Sequence, residues 1–379
     1  MKSRTTWTVA IFLFVFADAI AMQMRGALLP SFQETFAVSE GMLGLIAPAG
    51  TVGFLLAVLA IGLLAGRIAP ERALLFGVGG TALALFLLSA SPTYLILLML
   101  LFAQGTFTGI GRGIDRPILS HLYPTRRGKL FTLYSLAWAL GATSGPLAVT
   151  AVLWFGDWRL AFALLALALC PLVILLWRIE LPEVAKNERP ISLEAVRELL
   201  RMPAIGGMSV ALALTGGIEG AIFTWLPYFS LQYFDRASAN LALTTFLLAY
   251  VPGRFVYSRV IERVDYLDLI LLVSLLSLPL LVVTFALATG PFLFVAIFLL
   301  GFVVSGLFPV LSAFGVDTVP EYSGPVNAVA TSATYVGIAV VPVVIGVLAE
   351  FYGIEVAMTS LIVLGVGLIA VSVATRAAA

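Results

Sequence analysis

Long apolar runs, separated by short charged or Gly/Pro-rich breaks, set the pattern of this chain. A helix needs about 20 apolar residues to cross the hydrocarbon core of a bilayer. On that rule the pattern predicts twelve membrane-spanning helices, at 7–30, 41–65, 73–91, 93–120, 130–155, 158–177, 203–232, 239–260, 268–288, 291–315, 325–350 and 355–375. Some connections are only a few residues long, as at Gly156-Asp157-Trp158 and Thr289-Gly290-Pro291. The long exception runs from Arg178 to Pro203 and divides the spans into two groups of six. The expected organisation is therefore a half at 1–178, a linker at 179–202 and a half at 203–379. Within the linker, Ser192 is the predicted N-cap of a short amphipathic helix with Glu194 and Arg197 three apart, lying at the membrane surface.

Composition agrees with a membrane protein. Of 379 residues, 61% are hydrophobic and 11% charged, against about 25% charged in soluble domains. A net charge of +1 gives no reason to expect nucleic acid as a partner. Cys170 is the only cysteine and His121 the only histidine, so neither an internal disulfide nor a histidine-based metal cluster or catalytic triad can form. No cofactor is expected. Lys2, Arg4 and Ala19-Ile20-Ala21 imitate a signal peptide, but the apolar run continues to Pro30, which predicts an uncleaved first helix.

Lysine and arginine give the expected orientation. With both termini in the cytoplasm, fifteen of the 21 basic residues fall on that side. Arg159 and Arg236 fall outside, and Arg25, Arg112, Arg116 and Arg254 lie within spans. This is the positive-inside bias of a multi-pass protein of the plasma (inner) membrane.

The two halves also repeat each other. At an offset of 196, Gly105 matches Gly301, Pro124 matches Pro320, Gly128 matches Gly324, Gly141 matches Gly337, Pro146 matches Pro342 and Arg67 matches Arg263. Six helices duplicated in parallel orientation form a transporter architecture, with the site between repeats at the midplane.

Three segments carry a family resemblance. GLLAGRIAPERALLFG, Gly62 to Gly77, resembles the signature G-x-L-a-D-R-x-G-R-R of the major facilitator superfamily, although Gly66 stands at the acidic position and Ala69 at the second glycine. GRFVYSRVIERV, Gly253 to Val264, resembles the second-half copy, with Glu262-Arg263 in place of Asp-Arg. LYPTRRGKLFTLYSLAWALGATSGP, Leu122 to Pro146, is similar to the family's helix 4–5 loop and helix 5. The resemblance implies an all-α fold of two pseudo-symmetric six-helix halves, with helices 1, 4, 7 and 10 lining a central cavity. It also implies a cytoplasmic gate at Arg67, Glu262 and Arg263. The other reading of these arginines is that they anchor helix ends at the headgroups.

The charges within spans are the candidate chemistry. An ionised side chain near the bilayer centre costs roughly 2.5–3.5 kcal/mol on the lenient insertion scale. Asp18 and Arg25 lie on helix 1, seven residues apart on one side. Arg112, Asp115 and Arg116 share one face of helix 4, and Glu219 lies in helix 7. Arg112 can pair with Asp115 on its own helix and is within reach of Asp18. Alternatively, Arg112–Asp115 is a buried structural pair, Arg116 reaches the headgroups, and Glu219 fills space beside Gly216, Gly217 and Gly220. Asp18, Arg25, Arg112, Asp115 and Glu219 are the candidates for solute binding or proton coupling. Arg116, Tyr134, Trp138, Tyr250, Arg254, Asn327 and Tyr335 are candidates for the cavity wall. A carboxylate that gains or loses an arginine partner changes its proton affinity, which is the simplest basis for coupling.

The expected activity is secondary transport of a small solute by alternating access, with proton-coupled symport of a polar or anionic solute favoured over drug–proton exchange. Its expected partners are the solute, protons and the lipid bilayer, with the chain acting as a monomer. A membrane receptor on the same scaffold is the competing class; no constellation suggests an enzyme.

Overall fold

With no water to take up free N–H and C=O groups, an apolar chain crossing lipid must satisfy its backbone within the segment, which favours helices. The computed structural model describes residues 2–64, 66–180 and 193–378 and is almost wholly helical. Among the described residues, twelve helices are long and apolar enough to span a membrane. Helices 1 to 6 are Arg4–Ala27, Glu40–Leu63, Pro70–Ser89, Tyr94–Leu122, Arg127–Leu153 and Arg159–Arg178. Helices 7 to 12 are Pro203–Ser230, Arg236–Val260, Tyr266–Leu287, Phe292–Thr318, Pro320–Tyr352 and Ile354–Ala378. A short helix, Leu193–Arg201, precedes helix 7; the expected cap Ser192 lies outside the described residues. Large apolar side chains such as Phe76, Phe86, Leu167 and Val363 are exposed, as suits a surface solvated by lipid tails.

Contacts divide the chain into two units, Met1–Ala37 with Ala49–Pro190, and Val38–Pro48 with Ile191–Ala379. Each unit repeats one packing scheme. In the first, helix 1 runs along helix 5, and helix 3 packs on helices 4 and 6. In the second, helix 7 runs along helix 11, and helix 9 packs on helices 10 and 12.

The repeated glycines occupy equivalent crossings. Any Cβ on Gly141 of helix 5 would strike the carbonyl of Phe16 on helix 1; on Gly337 of helix 11 it would strike that of Ala213 on helix 7. Gly105 of helix 4 lies against the carbonyl of Gly50 on helix 2, and Gly301 of helix 10 against that of Phe246 on helix 8. Without a solvent-driven hydrophobic force between helices in lipid, such close backbone approach is a main source of packing energy.

The start of helix 2 was expected in the first half, yet residues 38–48 pack within the second unit. Ser39 caps the turn Glu40–Leu43. The Glu350 carboxylate accepts from the Ser39 hydroxyl at 2.9 Å and the Gly41 N–H at 3.1 Å. The Tyr228 hydroxyl donates to Glu40 at 2.8 Å, and the Gly44 backbone meets Pro342 and Val343 of helix 11. The tie joins residues some 300 positions apart in sequence.

Candidate functional site

Among the described residues, each unit brings ionisable side chains together within its spans. In the first unit, Asp18 of helix 1 and Asp115 of helix 4 flank the Arg112 guanidinium. Nε of Arg112 lies 3.7 Å from Oδ2 of each acid. The three side chains are 10%, 13% and 0% exposed for Arg112, Asp18 and Asp115. From helix 5, the buried Tyr134 hydroxyl donates to Asp115. The same phenol ring carries two cations, with the guanidinium carbons of Arg112 and Arg116 at 5.0 and 5.1 Å from its centroid. Phe12 of helix 1 meets that ring edge-on at 6.4 Å. Tyr134 thus joins one carboxylate and two arginines that helix 4 presents on one face.

Arg25, grouped with these residues by sequence, makes a different connection. Its guanidinium lies against Gly50 and donates to the Gln104 carbonyl oxygen on helix 4. The Gln104 amide donates to Thr108 at 2.9 Å, and Thr108 meets Thr81 of helix 3 at 3.1 Å. This chain of polar groups runs from helix 1 through helix 4 to helix 3 inside the first unit. Gln104, Thr108 and Thr81 were missed in the sequence; the one available signal was three polar residues within otherwise apolar spans.

The second unit builds a related cluster with different connectivity. The Tyr250 hydroxyl of helix 8 donates to Glu219 of helix 7 at 2.6 Å. Arg254, one turn on from Tyr250, holds its guanidinium carbon 5.2 Å from the centre of that ring. In the first unit the acid and arginines share a helix and the phenol comes from a neighbour. Here the phenol and arginine share a helix and the acid comes from a neighbour. Thr215 donates to the Ala211 carbonyl and lies one turn from Glu219.

The remaining candidates are placed as follows. Trp138 and Tyr335 are half-buried, and Asn327 is exposed and donates to the Ser323 carbonyl of its own helix at 3.0 Å. Arg67, Glu262 and Arg263 are exposed at span ends, and among the described residues their side chains show no ion pair or hydrogen bond. At the start of helix 9 the ties are Tyr266 to Asp317 of helix 10, at 2.8 Å, and Asp268 to Arg376 of helix 12, at 2.5 Å. Gly66, at the signature's acidic position, has φ +77°, a left-handed backbone that a side chain disfavours. Among the described residues, no group of His, Cys, Asp and Glu could hold a metal ion.

Comparison with known proteins gives a consistent family. The sequence profile of the Major Facilitator Superfamily matches residues 11–236 and 232–377. A gallate transporter of Pseudomonas putida is 30% identical over 192 residues, 48% of this chain and 40% of that protein. The chain thus spans less than half the length of that relative. The uncharacterized MFS-type transporter YceJ of Bacillus subtilis (strain 168) is 26% identical over 323 residues, 82% of this chain and 80% of that protein. Among solved structures, a bacterial homolog of the human lysosomal transporter Spinster superposes with a TM-score of 0.83 at 14% identity, covering 99% of this chain and 97% of that one. The nucleoside transporter NupG gives 0.82 at 12% identity, covering 99% of each chain. The fucose:proton symporter FucP of E. coli gives 0.67 at 16% identity, covering 100% of this chain and 99% of that one.

Proposed function

The chain belongs to the Major Facilitator Superfamily and is a transporter rather than an enzyme, and on that premise we propose that it is a proton-coupled symporter of a small organic anion. The observation that carries this reading is the placement of Arg112 between two acids, each at 3.7 Å. That spacing is ion-pair contact, longer than a hydrogen bond. With both acids ionised, Asp18, Arg112 and Asp115 together carry one net negative charge. One proton makes the trio neutral. A second proton leaves the Arg112 charge uncompensated within the trio, ready for the carboxylate of a solute. Exposed Arg116, stacked on the same phenol, adds a further positive charge at that face. Proton and anion then bind together and leave together, which is symport. Glu219 supplies a second proton site in the other half.

The gallate transporter supports an acid as solute, since gallate is itself an organic anion. The excess of basic residues on one side supports placing both termini in the cytoplasm, with the site exposed alternately to the two sides of the plasma membrane in this reading. Arg67, Glu262 and Arg263 are the proposed cytoplasmic gate. The chain acts as a monomer in this reading. Proton-driven export of a cation is the second reading, favoured by the buried Glu219 carboxyl that a cationic solute could displace from its phenol.

The test is a thermal-shift screen of the purified protein against anionic, neutral and cationic solutes at two pH values. A ligand that binds the folded state at a hundredfold excess over its Kd stabilises it by about 2.7 kcal/mol. Stabilisation by organic anions, stronger at the lower pH and absent in Arg112→Ala, fits the symporter. Stabilisation by lipophilic cations alone sinks it in favour of export.

A further inference from the structure

Glu219 sits where three glycines let its helix pack closely against helix 11. Gly216, Gly217 and Gly220 surround it in sequence and lie against Thr334, Val341 and Ile338 of helix 11. This close crossing fixes the rotation of helix 7 and aims the carboxyl at helix 8. There the Tyr250 ring is wedged between Phe246, at 5.4 Å between centroids, and Phe223, at 6.5 Å. Tyr250 is only 1% exposed, and Glu219 7%. The phenol is thus held between two aromatic rings. It presents a fixed hydroxyl to one carboxyl group.

Among the described residues, the ionisable groups that act on Glu219 are Tyr250 and Arg254, both from helix 8. Helix 11, packed against the other side of helix 7, brings the Thr334 backbone and the Ile338 and Val341 side chains, and helix 12 brings Leu364 against Gly217, none of them ionisable. Arg254 reaches the acid's surroundings from above the phenol ring. A cation over an aromatic face draws on the ring's π density, and a phenol so polarised is a stronger hydrogen-bond donor. The order is therefore guanidinium, ring, hydroxyl, carboxyl.

We propose that Tyr250, assisted by Arg254, is a positioning residue that sets the pH at which Glu219 exchanges its proton. The hydroxyl donates to the carboxylate and so favours its charged form. When the carboxyl takes up a proton, the phenol oxygen can instead accept from it. The pair stays in contact in both states, and the difference between the two hydrogen bonds tunes the proton affinity. This deepens the symport reading by assigning the residue that would match proton release to the working pH, and it rests on that reading only for its consequence in transport.

The test reads Glu219 directly, without solute. Difference infrared spectroscopy of the full-length protein in liposomes follows its carboxyl band through a pH titration, the band being identified by its loss in Glu219→Gln. Tyr250→Phe keeps the ring among Phe223, Phe246 and Arg254 and removes the hydroxyl alone. A hydrogen bond to a charged group is worth about 1.5–3 kcal/mol, so the midpoint should move up by about one to two pH units. An unchanged midpoint overturns the proposal. Should Tyr250→Phe fail to fold, Arg254→Gln leaves the hydroxyl in place and should move the midpoint in the same direction; no movement again overturns it. A shifted midpoint in a protein that shows no proton flux would remove the symport reading and leave this inference standing.

Discussion

The carboxylate of Asp18 on helix 1 lies 3.7 Å from the guanidinium of Arg112 on helix 4, joining two helices that share no turn or loop. Asp115 meets the same guanidinium from one turn further along helix 4. Arg112 therefore has two acids to choose between, and a proton on one leaves it with the other. Arg112→Lys keeps the charge but loses the planar fork that binds a carboxylate through two donors. Losing a hydrogen bond to a charged group should weaken anion binding roughly tenfold to a hundredfold. Equilibrium binding of the transported acid checks this, and wild-type affinity would return Arg112 to a purely structural pair.

Tyr134 holds Asp115 by its hydroxyl and two arginines by its ring. Tyr134→Phe should leave a buried acid short of one donor and cost about 1–3 kcal/mol of stability. Tyr134→Ala should cost more, because the ring contacts with Arg112, Arg116 and Phe12 go as well. Thermal unfolding of the two variants in one detergent gives the order. Equal losses would show that the ring contributes nothing beyond its hydroxyl.

Gly141 and Gly337 occupy equivalent crossings, each against a backbone carbonyl of the neighbouring helix. Overpacking a tight interior costs about 1–3 kcal/mol, and a carbonyl yields less than a side chain. Gly141→Val and Gly337→Val should each lower the melting temperature clearly. Gly128→Ala and Gly324→Ala, where an added Cβ meets nothing within 4 Å, should not. A comparable loss in all four would show that the close crossing is not what sets the cost, since helix propensity alone favours replacing glycine.

Asp235 caps helix 8 by accepting from the Ser238 backbone N–H at 3.0 Å. Hydrogen bonds from the Ser238 side chain and backbone hold its carboxyl below the usual carboxylate value of 3.8. A depressed folded value means that the stabilisation is full above the unfolded pKa and is lost as pH falls through the folded one. Asp235→Asn keeps a capping oxygen and removes the charge. Its melting temperature should therefore lose this acid-dependent component. An unaltered acid limb would show that the cap adds no pH dependence.

The spans were legible because bilayer thickness fixes the length of an apolar helix, and most observed ends lie within a few residues of the expected ones. The Arg112–Asp115 pair was legible because an i, i+3 spacing puts both side chains on one helix face. The role of Tyr134 was not, since its contact with Asp115 depends on how helix 5 is rotated against helix 4. The Tyr228–Glu40 bond was hidden for a different reason: its partners are 188 residues apart, and nothing local marks Glu40 as more than the start of a helix. Grouping Arg25 with Asp18 and Arg112 followed from helical periodicity alone. Its bond to Gln104 depends on helix 4 passing close by, through the Gly50–Gly105 contact.

The most direct test of proton-coupled anion symport is the proton flux that accompanies a transported acid in liposomes, measured for wild type and for Asp18→Asn combined with Glu219→Gln. The account predicts that the wild type carries protons inward with the acid. The double variant, in which only Asp115 still titrates beside Arg112, should move clearly fewer protons per solute. Wild-type proton flux in the double variant would contradict the assignment of coupling to these two acids.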